Sequence, residues 1–483
     1  MSQIKKIHDM LVNKEISCVE LATRYLEQIE NVNDQLNSYI TVTKDTALEQ
    51  AKKVDERIAN GEDIPMLCGV PMTLKDNICT KDIKTTCASK MLSDYTPVFD
   101  ATVWEILKAQ GAVLLGKTNM DEFAMGSSCE NSYFGATKNP HNVEYCAGGS
   151  SGGVASAVAA DIAAFGLGSD TGGSIRQPAS FCSLVGLKPT YGAVSRYGLV
   201  AYASSFDCIG PVAKSVEDVS IIFDAIAQYD DKDSTSVESP YKTSDYLNND
   251  IKGRKIGVAN EYLEGIDDQV KKAFLSACDT LKGLGAQIEF FDMPSLKFAL
   301  PVYYILACAE ASSNLARYDG IRYGYKVQHY DSVHDMVCKT RSTGFSGEVK
   351  RRILLGTYVL SSGYYDAYYK KAMKARGVII KAFDDAFEKY DCVLAPTVPV
   401  TAFKLNESSL DMIKTYQSDI CTVPVNIASL PAVSVPCGTN SDNMPIGMQI
   451  IGKRFDEKTI LNVANIFEKN TDCAVNTKWG VKL

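Results

Sequence analysis

Between Cys146 and Pro178 the chain reads CAGGSSGGVASAVAADIAAFGLGSDTGGSIRQP, two glycine-serine loops flanking a run of small apolar residues. Glycine at this density costs backbone entropy, so it marks turns with unusual dihedral angles or a backbone pressed against a ligand. Each loop delivers a serine: Ser150 and Ser151 from the first, Ser174 from the second. A serine is a poor nucleophile until a neighbouring base takes its proton. The identity of that base decides the chemistry.

Four histidines are available: His8 in a polar N-terminal helix, His141 in a turn, and His329 and His334 in a polar stretch with no glycine-framed serine nearby, so a Ser-His-Asp triad stands as the weaker reading. The letters GxSxG occur at Gly148–Gly152, but a nucleophile elbow needs a strand running into the serine, and here the approach is a polar turn. Lysine is the alternative. Leu67–Asn77 (LCGVPMTLKDN) reads as a buried strand that ends on Lys75 and enters a polar turn. Acting as a base near neutrality requires lysine to lose about three pKa units, or about 4 kcal/mol, which desolvation can supply. Strand context alone fits equally a lysine whose stem packs on the strand while its head reaches solvent.

The P-loop expression GxxxxGK(S/T) is matched letter for letter by Gly111–Thr118. A P-loop runs strand, phosphate-cradling loop, helix. Residues 101–110 instead read as a helix with Gly111 as its cap, followed by a strand from Ala112 to Leu115, the reverse order.

Three further segments extend the pattern: GKTNMDEFAMGSS at 116–128, GSDTGGSIRQP at 168–178 and GLKPTYG at 186–192. With Lys75 and YCAGGSSGG at 145–153, they resemble the amidase signature hydrolases, which use a Ser–Ser–Lys triad. EASSNLARYDGIRYG at 310–324 and GEVKRRILLG at 347–356 resemble one branch of that family, the glutaminase subunits of glutamyl/aspartyl-tRNA amidotransferases. The resemblance runs from about residue 4 to 482.

It implies Ser174 as nucleophile, Ser150 as a bridging serine entered through a cis peptide bond, and Lys75 as base, with Ser151 in support. Thr171, Gly172, Gly173 and Ser174 can aim backbone N–H groups at an oxyanion, and a helix opening at Ser174 would add its positive end. A glutamine site wants a cation for the α-carboxylate and an acid for the α-ammonium. By resemblance these are Arg352 and Asp419, with Tyr304 favoured over Tyr303 as a further contact and Met125, Gly126 and Ser127 lining the pocket through their backbone. Without the resemblance, Arg352 and Asp419 read equally as members of surface salt bridges.

The resemblance also implies two partners. One is a tRNA-binding subunit that performs an ATP- and Mg²⁺-dependent step with the ammonia released here, and the other is a small subunit wrapped around this chain. The chain itself needs no metal or organic cofactor. Its net charge of −8 offers no general attraction for nucleic acid, so tRNA is expected to be contacted mainly through the partner. Two rivals stand beside this reading: a stand-alone amidase, which would have no use for the Arg352–Asp419 pair, and a silent scaffold, which would not need all three triad members.

No apolar run approaches 18 residues, so no membrane span is expected. Met1-Ser-Gln-Ile-Lys-Lys leads into no export segment, and fifteen scattered cysteines without a C-x2-C pair suit buried thiols in the cytoplasm. Apolar strands alternate with helices from Leu67 to about Asn260 and resume at Tyr390 and Ala432, after a helical, tyrosine-rich stretch. This return to the sheet favours one α/β domain over residues 1–483. Residues 1–62 are expected as helices packed on it, and 295–390 as a helical substrate-specificity segment. The family implies a mixed, mostly parallel central sheet of about eleven strands between layers of helices.

Overall fold

Helix ends fall where capping chemistry puts them. Ser17 accepts from the Glu20 N–H to open the helix Cys18–Leu36, and Asp267 accepts from Gln269 and Val270 to open Asp268–Gly283. Gly111, at φ +88°, closes the helix Thr102–Gln110. The chain then enters a strand, Val113–Thr118, so the P-loop letters sit on a helix-to-strand junction. The computed structural model describes residues 2–407 and 416–481.

Eleven strands form one sheet among the described residues. In chain order they are β1 (Tyr39–Val42), β2 (Pro71–Lys75), β3 (Val113–Thr118), β4 (Phe165–Asp170), β5 (Val185–Lys188) and β6 (Cys208–Ala213). There follow β7 (Lys255–Ala259), β8 (Gln287–Phe291), β9 (Cys392–Pro396), β10 (Ala432–Thr439) and β11 (Pro445–Gly452). Across the sheet the order is β1-β3-β2-β4-β6-β5-β10-β11-β9-β7-β8. The sheet is mixed, as expected. Its parallel pairings form two blocks, β3-β2-β4 and β9-β7-β8. Antiparallel pairs join the blocks through β6, β5, β10 and β11.

Side chains of one strand alternate between two apolar cores, which is why the strands read as continuous apolar runs. In β9 and β11, Leu394 and Ile450 join the core shared with the N-terminal helices and the helices Val216–Ile226, Asp268–Gly283 and Glu457–Lys469. Val393, Ala395 and Ile451 face the other way, into the core under Ala299–Asn314, Gly347–Leu360 and Lys370–Phe387. The stretch 295–390 is therefore a helical layer on one face. The N-terminal 60 residues are helical except for β1, which pairs antiparallel with β3.

No helix of the described residues is long and apolar enough to cross a membrane. The cysteines form no disulfide, and all but Cys338 and Cys473 are buried.

Candidate active site

Parallel strands β2 and β4 lie side by side, Leu74 against Leu167, and their C-terminal ends open on the same edge. Ligands of open α/β sheets gather at such edges. Lys75 is the last residue of β2, and its Nζ lies 2.7 Å from Ser150 Oγ, 3.0 Å from Ser169 Oγ and 3.3 Å from the Ser169 carbonyl. The side chain is wholly buried, so its head does not reach solvent. Burial pulls the ammonium down from an ordinary 10.5 to about 8, against the opposing charges of Asp121, Asp170 and Asp207.

Two other lysines are equally buried. Lys117, from the P-loop letters, is engaged by Asp76 at 3.3 Å, the Ile78 carbonyl and Thr85, and Lys188 by the Pro189 carbonyl. Neither is bonded to a serine of the two loops.

Ser150 enters through a cis peptide from Gly149, just before the helix Gly152–Ala159. Ser151 bonds the Ser169 backbone through its hydroxyl, and its N–H donates to the Ser174 carbonyl at 3.1 Å. These contacts tie the two loops together. Ser174 retains 8% exposure, whereas Lys75 and Ser150 have none. Among the described residues no hydrogen bond links the hydroxyls of Ser150 and Ser174.

The turn carrying Ser174 is organised by residues that sequence reasoning did not single out. The Asp170 carboxylate accepts from Gly173 N–H at 2.7 Å and Ile175 N–H at 3.2 Å, and pairs with Arg176. Burial alone would raise this carboxyl, but the Arg176 charge overrides it and holds it at about 2. Arg176 also reaches the Thr422 carbonyl, Asn426 and Gln449. Two expectations are corrected here. The Gly173 N–H is given to Asp170 rather than aimed at an oxyanion, because the turn needs a fixed anchor. The following helix opens at Arg176, not at Ser174, and is only six residues long.

The glycines of this turn admit close neighbours. A Cβ on Gly172 would stand 2.5 Å from the Tyr303 ring, and one on Gly173, at φ +132°, 2.7 Å from Thr422 Cβ. Tyr303 thus backs the turn, while Tyr304 faces the residues expected to read substrate. The Tyr304 hydroxyl donates to Asp419 at 2.7 Å, and Ser127 Oγ donates to the other Asp419 oxygen at 3.2 Å.

Burial raises the Asp419 carboxyl to about 6, despite these bonds and the Arg352 charge. Arg352 is 4% exposed and lies over the Tyr304 ring at 5.3 Å. It does form an ion pair, with Glu348 at 2.7 Å, but a part-buried one, and its Nη1 donates to the Tyr202 hydroxyl at 2.8 Å. Tyr202 and Glu348 carry no local motif that announces this role.

Met125, Gly126 and Ser127 pass close to these groups. The Met125 carbonyl accepts from Asn131, and the Ser127 carbonyl from Gln177. Gly126 and Gly149 both make room for the carboxyl of Asp121, which burial raises to about 7. A Cβ on Gly149 would overlap Asp121 and lie 2.9 Å from Ser128 N. Gly149→Ala is therefore expected to cost about 1–3 kcal/mol through overpacking. Urea unfolding measures it, and an unchanged midpoint would mean that Asp121 has room to withdraw.

Comparison with known proteins shows the family. Residues 20–461 match the amidase family. A protein of Thermoanaerobacter pseudethanolicus named as a glutamyl-tRNA(Gln) amidotransferase subunit of the A type is 56% identical over 469 residues, 96% of each chain. The crystal structure of the Thermotoga maritima protein of the same name superposes with a TM-score of 0.80 at 40% identity, covering 96% of this chain and 97% of that one. The peptide amidase of Stenotrophomonas maltophilia superposes at 0.82 with 25% identity, covering 99% and 98%. With a family match over residues 20–461 and 56% identity across 96% of a curated relative, the chain belongs to the amidase family.

Proposed function

We propose that this chain is the glutaminase subunit of a tRNA-dependent amidotransferase. The observation that carries the reading is a wholly buried Lys75, its ammonium pulled down to about 8, within 2.7 Å of Ser150, on a loop bonded to that of Ser174, with a buried arginine and a part-buried carboxylate, Arg352 and Asp419, of opposite charge. The relatives named above support it.

In this reading neutral Lys75 takes the Ser150 proton as Ser150 takes that of Ser174, and Ser174 Oγ attacks the side-chain amide carbon of glutamine. The oxyanion meets the N–H groups of Thr171, Gly172 and Ser174. The proton returns through Ser150 to the leaving nitrogen, and ammonia departs. Water then repeats the sequence on the γ-glutamyl ester and frees glutamate. The gap between the two serine hydroxyls closes once substrate fills the site, as catalytic hydrogen bonds commonly do.

Arg352 holds the α-carboxylate through the guanidinium edge that Glu348 leaves open, and Asp419 holds the α-ammonium. Ammonia passes to a tRNA-binding partner that amidates misacylated tRNA with ATP and Mg²⁺. A small third polypeptide completes the complex, and the whole works in the cytoplasm. This chain contributes one domain.

The reading is tested by assaying glutamate release from glutamine by the chain with its tRNA-binding partner. A complex that uses free ammonia but never glutamine would overturn it.

Specificity gives a sharper measurement. Losing Arg352 or Asp419 leaves the substrate's opposite charge unpaired in a confined site, a penalty of about 2–5 kcal/mol. Arg352→Ala and Asp419→Ala are each expected to lower kcat/KM for glutamine by about 30-fold or more, with little effect on a neutral amide that the enzyme accepts. The carboxylate form of Asp419 is the one that binds ammonium. Because burial raises its pKa to about 6, KM for glutamine should rise as pH falls through that value. Equal losses on both substrates would assign these residues to the scaffold.

A further inference from the structure

The first turn of a helix leaves backbone N–H donors without partners, and capping groups normally take them up. The helix Gly347–Leu360, which carries Arg352, lacks the usual ones. Ser346 precedes it, but its hydroxyl makes no capping bond. In a capping box the third helical residue is a glutamate or glutamine that reaches back to the N-cap N–H, and here that residue is Val349. The Ser346 N–H instead donates to Glu122, 224 positions away, at 2.8 Å. The other Glu122 oxygen accepts from the Ser89 hydroxyl, and the residue is 2% exposed.

Glu122 opens a strained turn. Phe123 and Ala124, neither of them glycine, take φ of +49° and +61°. That conformation costs free energy and persists where its surroundings enforce it, most often at functional sites. The Phe123 N–H is held by the Cys87 carbonyl at 2.9 Å. Its ring packs on Tyr318 and on Phe345, the residue before Ser346.

The same short segment touches three parts of the site. At one end the Asp121 N–H donates to the Ser150 carbonyl at 3.3 Å. At the other the Ser127 hydroxyl donates to Asp419 at 3.2 Å. Between them Glu122 fixes the start of the helix, and Arg352 follows six residues on, about 9 Å along the axis. Residues 121–127 thus join the loop of Ser150, the carboxylate of Asp419 and the helix of Arg352.

On the reading of Arg352 and Asp419 as holders of the α-groups, their distance from Ser174 decides which amide meets the nucleophile. Such a constellation has to be held to within about 0.5 Å. We propose that Glu122 is a positioning residue for glutamine, holding Arg352 at the distance from the triad that the substrate spans between its α-carboxylate and its side-chain amide. Reach is what the position requires, because one side chain has to join Ser89 to Ser346. A charge that falls short of Ser346 leaves the helix start free to shift.

Glutamine hydrolysis by the full chain with its tRNA-binding partner tests this, with kcat and KM read separately and thermal unfolding as the check on folding. Glu122→Asp keeps the charge but stops one methylene short of Ser346. It should raise KM about tenfold, less than deletion of the arginine, with kcat within about threefold of wild type. Glu122→Gln keeps the reach, its carbonyl on the Ser346 N–H and its amide turned to Ser89 Oγ. It should return KM to within about threefold of wild type. Ser346→Pro removes the same N–H from the helix side, at a φ of −67° that proline adopts and after an extended Phe345. It should repeat the KM effect even if Glu122→Asp folds poorly. A shift made through the arginine cannot be made twice, so in an Arg352→Ala background Glu122→Asp should add less than about twofold.

A wild-type KM in both Glu122→Asp and Ser346→Pro would overturn the proposal. So would a fall in kcat at unchanged KM, which would place Glu122 with the triad. A full tenfold effect in the Arg352→Ala background would do the same, since Glu122 would then act on the scaffold at large. Equal KM values for Glu122→Gln and Glu122→Asp would replace reach by charge and overturn it too. A wild-type KM in Arg352→Ala alone would overturn the assignment of the α-carboxylate to that residue, and this proposal with it. A raised KM there with none in the Glu122 and Ser346 variants would leave that assignment standing and remove only Glu122.

Discussion

Replacing Ser174 with alanine is expected to abolish glutamine hydrolysis, a loss of at least about 10⁴-fold, while the assembled complex still uses free ammonia. The two halves of this expectation rest on different arguments. Removing a nucleophile removes the covalent path, and what remains is binding and oxyanion stabilisation, which act only weakly on bulk water as the attacking group. Ammonia supplied from solution bypasses that path, because on the proposed function the ATP-dependent step lies in another polypeptide. The substitution should also be quiet structurally. Ser174 is anchored through its backbone, by the Ser151 N–H on its carbonyl and by the Asp170 contacts on either side, and its hydroxyl takes no part in that scaffold. Glutamine-dependent turnover that survives in Ser174→Ala would remove Ser174 from the mechanism. Loss of ammonia-dependent turnover as well would point to a broken complex.

The parts of the site that were legible in the sequence are those encoded locally. Two glycine-serine loops and a lysine closing an apolar strand are short-range signals, and the chain brings all three to one sheet edge. The contacts that hold them are long-range, and no window of sequence contains them. Arg176 meets Gln449, 273 positions away, and Arg352 meets Tyr202, 150 positions away. Glycine at 173 leaves its N–H open to an oxyanion as far as sequence goes, but the nearest carboxylate, three residues back, takes it first.

The fold divides in the same way. Capped amphipathic helices such as Cys18–Leu36, which Asn37 closes in the left-handed region, and Asp268–Gly283 carry their signals locally. The short strands β1, β5 and β6 do not. β1 hides between two helices. β6 carries Pro211 opposite Leu167, a residue that argues against an interior strand when only the sequence is read. Burial of lysine is equally invisible: Lys75, Lys117 and Lys188 all lie in the interior, and only the first has a serine of the signature loops as its neighbour.

That distinction gives the second large effect. Lys75→Ala is expected to reduce hydrolysis by several orders of magnitude, and Lys75→Arg should not restore it, because arginine keeps its proton at any working pH. In the native enzyme the active form is neutral lysine. The rate should therefore rise with pH through about 8, where burial has placed the group, and level off above it.

The same burial has a consequence for stability. Folded Lys75 releases its proton near 8, whereas the unfolded chain holds it to about 10.5, so between these values the unfolded state binds more protons and stability gained from this group rises with pH. Below pH 8 the full cost is present, about 3 kcal/mol for the shift of roughly 2.5 units. Lys75→Met, similar in length and without charge, should then lose activity yet unfold at a temperature no lower than wild type near neutrality, with less gain on moving to alkaline pH. Thermal unfolding at pH 7 and pH 9 separates the cases. If Lys75→Met is markedly less stable at both, the ammonium is a structural ion satisfied by Ser150 and Ser169. If Lys75→Arg turns over at near-normal rate, positive charge alone is what the site needs. Either result would move the search for the base away from Lys75.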